Sequence, residues 1–341
     1  MPSRKIKFLS FFFMSVALGI FIALAFFILN NHREMLGKVL LQLGENFLSG
    51  ITFKTTDRRG NKISVKSDGI YEEEKGLYVL KNAVSTFTLS NGELLTISAD
   101  LARALQTDPT KCEFRGSVRL STQSGLKIMT EHLFIDFNEK IARGESRVDI
   151  STKDAKVSAM EYFFDLKNNK LTLINEANGS FKFGHICANR LIINFDDIQK
   201  KNLKSIEAVG NPIYKFENYT LKASGSIRYS NDVIAVHSSV VLNHWGKTEY
   251  LVQADSMRAM VINGKVNTVA ASGSLIIKTK DVIIHADKGL LKDNLVNVVG
   301  KVAISGRQGN IFGKSASLDL DTQEVDVRQS SGVVVDSVGW K

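Results

Sequence analysis

A short motif centred on a small residue returns nine times along this 341-residue chain. The first five copies read Val65-Lys66-Ser67-Asp68, Ile97-Ser98-Ala99-Asp100, Met129-Thr130-Glu131-His132, Val157-Ser158-Ala159-Met160 and Ile186-Cys187-Ala188-Asn189. Lys222-Ala223-Ser224-Gly225, Val252-Gln253-Ala254-Asp255, Ile284-His285-Ala286-Asp287 and Gly313-Lys314-Ser315-Ala316 complete the set. The third positions recur at a mean of about 31 residues, the mark of stacked supersecondary units that bury a core only together.

The phase inside a copy says what the units are. Two residues before the small position the side chain is usually apolar (Val65, Ile97, Met129, Val157, Ile186, Val252, Ile284). Three residues after it the chain is apolar again (Ile70, Phe134, Tyr162, Leu191, Ile227, Met257, Leu318). An offset of five reverses parity on a regular strand, so a bulge or corner at the small residue must carry one strand between two facing sheets. Strict alternation supports strands elsewhere: Ala83, Ser85, Phe87 and Leu89; Leu95, Ile97, Ala99 and Leu101; Leu191, Ile193 and Phe195; Ile234, Val236, Ser238, Val240 and Leu242. Many copies close on glycine-x-apolar, as in Gly116-Ser117-Val118, Gly179-Ser180-Phe181, Gly273-Ser274-Leu275 and Gly300-Lys301-Val302. The three prolines suit long hydrogen-bonded ladders. The fold class expected is all-β: an elongated antiparallel two-sheet β-jellyroll or sandwich of about nine repeats, preceded by one transmembrane helix. Its terminal strands around Val325, Val327, Val333 and Val335 carry little protection. They read either as a docking edge for another β-protein or as a frayed terminus.

The helix is expected at Phe8–Leu29, 22 residues without a charge, long enough to cross the ~30 Å hydrocarbon layer. Arg4, Lys5 and Lys7 precede it, which puts the N-terminus in the cytoplasm. A cleaved signal peptide is the rival, since Ala23-Leu24-Ala25 has the small-x-small form, but the apolar run exceeds a signal h-region. Leu36, Val39, Leu40, Leu43 and Phe47 fall at helical spacing, either a continuing stalk or a short helix capping the body. The formal charge of +9 includes four residues flanking the apolar run, leaving too mild an excess to imply nucleic acid. Cys112 and Cys187 are more than two repeats apart. A disulfide is possible on the oxidising side of a membrane, and two buried free thiols are favoured.

Phe53-Lys54-Thr55-Thr56-Asp57-Arg58-Arg59-Gly60-Asn61-Lys62-Ile63-Ser64-Val65-Lys66-Ser67-Asp68, following a single anchor, resembles the opening of the periplasmic domain of the LptC family of lipopolysaccharide export. The later copies resemble the OstA/LptA repeat of the same pathway, closest from Ile284-His285-Ala286-Asp287 to Val298-Val299-Gly300-Lys301-Val302-Ala303-Ile304. The array runs several copies beyond a typical LptC domain. It looks like an LptC-type half joined to an LptA-type half, or one elongated member of the superfamily. The division expected is a cytoplasmic tip and anchor at 1–33, a juxtamembrane stalk at 34–50, an LptC-like jellyroll at 51–200 and an LptA/OstA-like jellyroll at 201–341.

The six histidines (His32, His132, His185, His237, His244, His285) share no metal-ligand spacing, and no nucleophile elbow or P-loop occurs. The acidic pairs Asp196-Asp197 and Asp319-Leu320-Asp321 sit where turns are expected. No cofactor, metal or catalytic residue is expected. The resemblance implies a periplasmic, inner-membrane-anchored component that shields lipopolysaccharide acyl chains in an apolar groove, served by an inner-membrane ABC transporter. Lining candidates in the first half are Phe87, Leu89, Ile97, Phe114, Val118, Leu120, Ile128, Phe134, Leu171, Leu173, Phe181 and Phe183. In the second half they are Ile193, Phe195, Ile227, Tyr229, Val252, Met257, Leu275, Ile277, Ile284, Val302 and Ile304. Arg58, Arg59 and Lys62 are candidates for lipid phosphates. For any single lining residue, plain sandwich core is the favoured reading over lipid contact. Two other classes stay open: a scaffold of stacked strands with a packed interior, and a β-solenoid polysaccharide enzyme, for which no carboxylate cluster is visible.

Overall fold

The computed structural model describes residues 47–334 apart from 57–61, 75, 89–93, 106–107, 124, 137–138, 154, 166, 182, 196–202, 246–247, 263–264 and 308. The expected anchor and the stripe from Leu36 to Leu43 lie outside the described residues. No helix among the described residues is long and apolar enough to cross a membrane. Every regular element there is a strand: β1 (Phe47–Thr56), β2 (Lys62–Glu74), β3 (Leu77–Thr88), β4 (Leu94–Leu105), β5 (Asp108–Thr122), β6 (Lys127–Asp136), β7 (Ile141–Gly144), β8 (Val148–Ser151), β9 (Ala155–Ala159), β10 (Glu161–Asp165), β11 (Lys170–Phe181) and β12 (Gly184–Phe195). The series continues with β13 (Leu203–Val209), β14 (Ile213–Phe216), β15 (Tyr219–Lys222), β16 (Ser226–Ser230), β17 (Val233–His244), β18 (Tyr250–Ile262), β19 (Lys265–Lys278), β20 (Val282–Lys292), β21 (Leu295–Gly306), β22 (Gly309–Asp319) and β23 (Val325–Val334). Phe47, expected to finish a helical stripe, instead opens β1 and pairs with Tyr71 across an antiparallel ladder.

The chain divides into two compact units. One takes in the described residues up to Ala177 and returns for Ile192–Lys204. The other holds Asn178–Leu191 and the described residues from Ser205 onward. Within the first, β1 to β6 pair in sequence as antiparallel neighbours. Then β7 and β8 lie along the two halves of β6. Within the second, β17 to β23 pair in the same consecutive manner.

Each long strand bends in its middle, and the ladder shows where. Pairing breaks between Ser98 and Leu101, Arg115 and Val118, Gln253 and Ser256, Ser272 and Leu275, His285 and Lys288, and Val299 and Val302. The breaks fall on the small-residue motif of one strand and the glycine-x of the next. Burial changes parity across them: Ile97 and Ala99 point inward before the corner and Ala102 after it, as do Val157 and Ala159 before Tyr162 and Phe164. Leu101, expected to share a face with Ile97 and Ala99, lies beyond the corner and is therefore only half-buried.

The bend needs backbone that ordinary residues avoid. Gly116, Gly273 and Gly300 have φ of +69°, +76° and +110°, the left-handed region where a Cβ is costly. A Cβ there would also strike the motif acid of the preceding strand, 2.4, 2.2 and 2.3 Å from an oxygen of Asp100, Asp255 and Asp287. Where the corner residue is not glycine, a side-chain bond takes over: Asn82, φ 47°, donates from Nδ2 to Asp68 at 2.8 Å, and Asn175, φ 59°, donates to Glu161 at 2.8 Å. A motif acid facing the next strand's corner is the repeating device of both units.

Candidate functional site

The interior of each unit is the surface most nearly continuous from repeat to repeat. In the first unit Ile97, Phe114, Val118, Leu120, Ile128, Leu171, Leu173, Ile193 and Phe195 are all buried and inward. In the second, Ile227, Val252, Met257, Leu275, Ile277, Ile284, Val302 and Ile304 are. Buried polar side chains among the described residues are few: Ser67, Ser85, Thr122, Thr130, Asp136 and Ser205. Ser67 shows how such a group is tolerated, because its hydroxyl lies within bonding distance of the carbonyls of Gly69 and Lys81 at 2.8 and 2.7 Å.

The half-strands face each other and interlock. A Cβ on Gly289, past the corner of β20, would lie 2.6 Å from the side chain of Leu275, a β19 residue paired with Ala286 on the part of β20 before that corner. Tyr162 lies across Gly144, its direct partner in the β7–β10 ladder, and donates its hydroxyl to the His132 carbonyl at 2.9 Å. Burial raises the Tyr162 pKa, keeping the phenol a donor. The space left by Leu126, Ile128, Ala142, Val148, Ile150, Tyr162, Phe164 and Leu171 is about 20 Å³, closed to anything larger than one small group.

Four lining expectations are corrected or qualified. Phe134 is outward: Leu133 and Ile135 are 3% exposed, whereas Phe134 is half-buried beneath the Arg143 guanidinium, 5.0 Å from its ring centroid. The third motif copy was set one residue late. Thr130, buried, occupies the corner rather than Glu131, so Ile128 is inward and Met129 is 53% exposed. Inward Ile128 two residues before the corner was the available signal. Phe181, Phe183 and Tyr229 are half-exposed and form an aromatic stack, with centroids 5.0 and 4.2 Å apart. Tyr229 donates to Asp232 at 2.9 Å, and burial with that neighbour pushes its pKa up to about 12. Leu89, Arg58, Arg59 and Val335 lie outside the described residues, and the side chains of Phe87, Lys62 and Val333 are not among those described.

At the edge, β23 pairs with β22 alone among the described strands, with Val325 opposite Leu318 and Val327 opposite Ala316. Both valines are half-buried on the inward face. Among the described histidines, His132 bonds Glu113 at 2.9 Å, and His185 lies between Ser180 and Cys187. Neither cysteine is in a disulfide, Cys112 being buried and Cys187 half-buried, and burial pushes the Cys187 thiol up against the opposing charge of Lys215. Asp319 accepts the amides of Asp321 and Thr322, which hold its carboxyl below the usual range. No group of three His, Cys, Asp or Glu among the described residues is placed to hold a metal ion.

Bent antiparallel strands that fold an apolar face onto itself, repeat after repeat, are consistent with the antiparallel β-jellyroll expected from the sequence. Residues 41–182 match the family described as lipopolysaccharide-assembly, LptC-related, and over that span the chain is LptC-like. No curated protein matches the chain.

Proposed function

We propose that the protein is a membrane-anchored periplasmic component that shields lipopolysaccharide acyl chains between its half-sheets during passage from the inner to the outer membrane. The supporting observation is the apolar inward surface, which each unit carries through successive corners with few buried polar groups. Each methylene taken from water contributes ~0.8 kcal/mol, and a uniform lining presents no deep trap to stop a moving chain. Where Ile128, Tyr162 and Leu171 meet, the first unit leaves only about 20 Å³, so in this proposal lipid enters there by parting the half-sheets rather than by occupying a ready groove. The same filled space favours the second reading, a scaffold with a packed core.

In this proposal residues 8–29 anchor the chain in the inner membrane with the N-terminus cytoplasmic. An LptC-like part spans 51–200 and an LptA/OstA-like part 201–341. An inner-membrane ABC transporter supplies the energy, another β-jellyroll adds to the β23 edge, and Arg58, Arg59 and Lys62 meet lipid phosphates. The test is photo-crosslinking in cells. A label at Ile135 or Ile284 should trap lipopolysaccharide, while Phe134 or His285, one residue away on the opposite face, should not. Equal trapping at both parities, or none in folded protein, would establish the scaffold reading instead.

A further inference from the structure

The second unit contains a pocket of about 690 Å³ lined by residues from three turns: His244, Trp245 and Tyr250 about the first, Lys278 and Lys280 about the second, and Gln323 in the third. The second turn follows β19 and the third follows β22. In a consecutive antiparallel ladder those strands run in opposite directions, so only strands folded back at their corners bring these two turns together. The pocket is therefore the mouth of the seam between the half-sheets of this unit.

We infer that this mouth is a saccharide-binding seat. Trp245 is 57% exposed although its backbone is fixed, its amide donating to the Asn218 carbonyl at 2.8 Å. Next to it His244 stacks on Tyr250, centroids 4.6 Å apart, and meets Tyr219 at a tilt with centroids 4.7 Å apart, and its Nδ1 is 2.9 Å from the Thr248 carbonyl. An indole held open on a rigid wall offers a flat apolar face to the C–H face of a sugar ring.

Gln323 supplies the polar half. Its side-chain nitrogen donates to the Leu320 carbonyl at 2.7 Å, yet its Oε1 is buried with no partner. Its backbone, at φ 60°, is the ordinary turn conformation also taken by Asp232 and Asp293, with its amide donating to the Asp319 carbonyl at 2.9 Å. A buried acceptor without a partner is satisfied by a donor, and a sugar hydroxyl is one. Of the three acids in the lining, Asp281 pairs with Arg307 and Asp321 accepts from Asn294 at 2.7 Å, while Glu249 is exposed. Lys278 and Lys280 set two positive charges against the carboxylates of Glu249, Asp281 and Asp321, so the lining carries no net preference for an anionic substituent on the sugar. Its assignment as the head-group seat of a glycolipid rests on the shielding function proposed above; saccharide binding by itself does not.

The chain has two tryptophans, Trp245 and Trp340, so the full chain carrying Trp340→Phe reports on Trp245 alone. A glucosamine disaccharide, with and without a phosphate ester, should protect Trp245 from acrylamide quenching at least twofold and saturably, with Kd at or below about 10 mM. Gln323→Asn tolerates the left-handed backbone while withdrawing the acceptor, and should weaken binding at least fivefold with an unchanged thermal transition. Trp245→Ala should abolish saturation-transfer signals from the sugar. No protection up to that concentration in folded protein would overturn the seat, as would equal protection by inorganic phosphate or by laurate alone. The lipid-shielding reading is judged separately, by trapping at Ile284, so either can fail without the other.

Discussion

On the outer face of the first unit, Glu113 gathers Arg115 at 2.7 Å, His132 at 2.9 Å and Arg103 at 3.9 Å, while Arg103 also reaches Glu73 at 2.9 Å. On the second unit, outward positions carry Met260, Ile262, Leu290, Leu295 and Val299, each more than 40% exposed. The inner faces do not differ in this way. Both are apolar, and both turn their corners with a motif acid facing the next strand's corner residue. The period is therefore held by the bend and the core, and the outward positions are left free for surface chemistry. The charged face lies within the span matching the LptC-related family, and these apolar outward residues lie beyond it.

The largest expected effects test whether the interiors are as alike as they look. Leu173→Ala in the first unit and Leu275→Ala in the second remove side chains 0% and 1% exposed, and each should cost its own unit about 2–5 kcal/mol. Hydrogen exchange followed by mass spectrometry reads the two units separately. In the second unit Gly289→Ala should also destabilise, by about 1–3 kcal/mol of overpacking. Combined with Leu275→Ala it should cost less than the two added, because the new methyl fills the space Leu275 vacates. Strict additivity would mean that the half-sheets do not interlock there.

Next come the corners. Gly273→Ala and Gly300→Ala combine a left-handed backbone with a collision against Asp255 or Asp287, and each should cost about 1–3 kcal/mol. Asn82→Gly in the first unit loses one exposed hydrogen bond but relieves φ, so denaturant melting should move by under about 1 kcal/mol. A comparable loss at Asn82 would show that the acid–amide bond, rather than backbone freedom, makes the corner. Of similar size is Tyr162→Phe, which leaves the His132 carbonyl the Thr130 hydroxyl at 3.3 Å and should cost under about 1 kcal/mol while leaving the packing on Gly144 intact.

The corners also show how far the sequence alone could be read. The alternation and period were legible because burial forces them, as at Leu191, Ile193 and Phe195, all buried. The parity switch was legible as an offset of five. It failed at Glu131, where no small residue stands, and the error carried Phe134 to the wrong face. It failed also at Ser224, which is exposed while Leu221 and Ala223 are buried, so that corner too comes one residue earlier. The partnership of Asp287 with Gly300 could not be read from one strand, since it depends on which residues the ladder leaves unpaired. The seam pocket was hidden for the same reason: Trp245 and Gln323 meet only through folded-back strands.

The smallest expected effect separates the two outer faces by pH. Burial by itself would raise the Glu113 carboxyl, but the hydrogen bonds and charges of Arg115 and His132 outweigh it and hold the pKa below 4.5. A carboxyl depressed on folding contributes stability that is fully present above its unfolded value. That contribution is lost as pH falls through the lower, folded value. The first unit should therefore weaken as pH drops below about 4.5, the ordinary value for glutamate. The contribution is under about 1 kcal/mol, because the ion pairs are half in water and screened. Glu113→Gln should flatten this part of the acid slope in exchange measured on the first unit and leave the second unchanged. Salt at about 1 M, where screening acts within ~3 Å, should flatten it in the same direction. An acid slope unaffected by either change would mean that the charged face is surface decoration, and that the two units differ in appearance rather than in energetics.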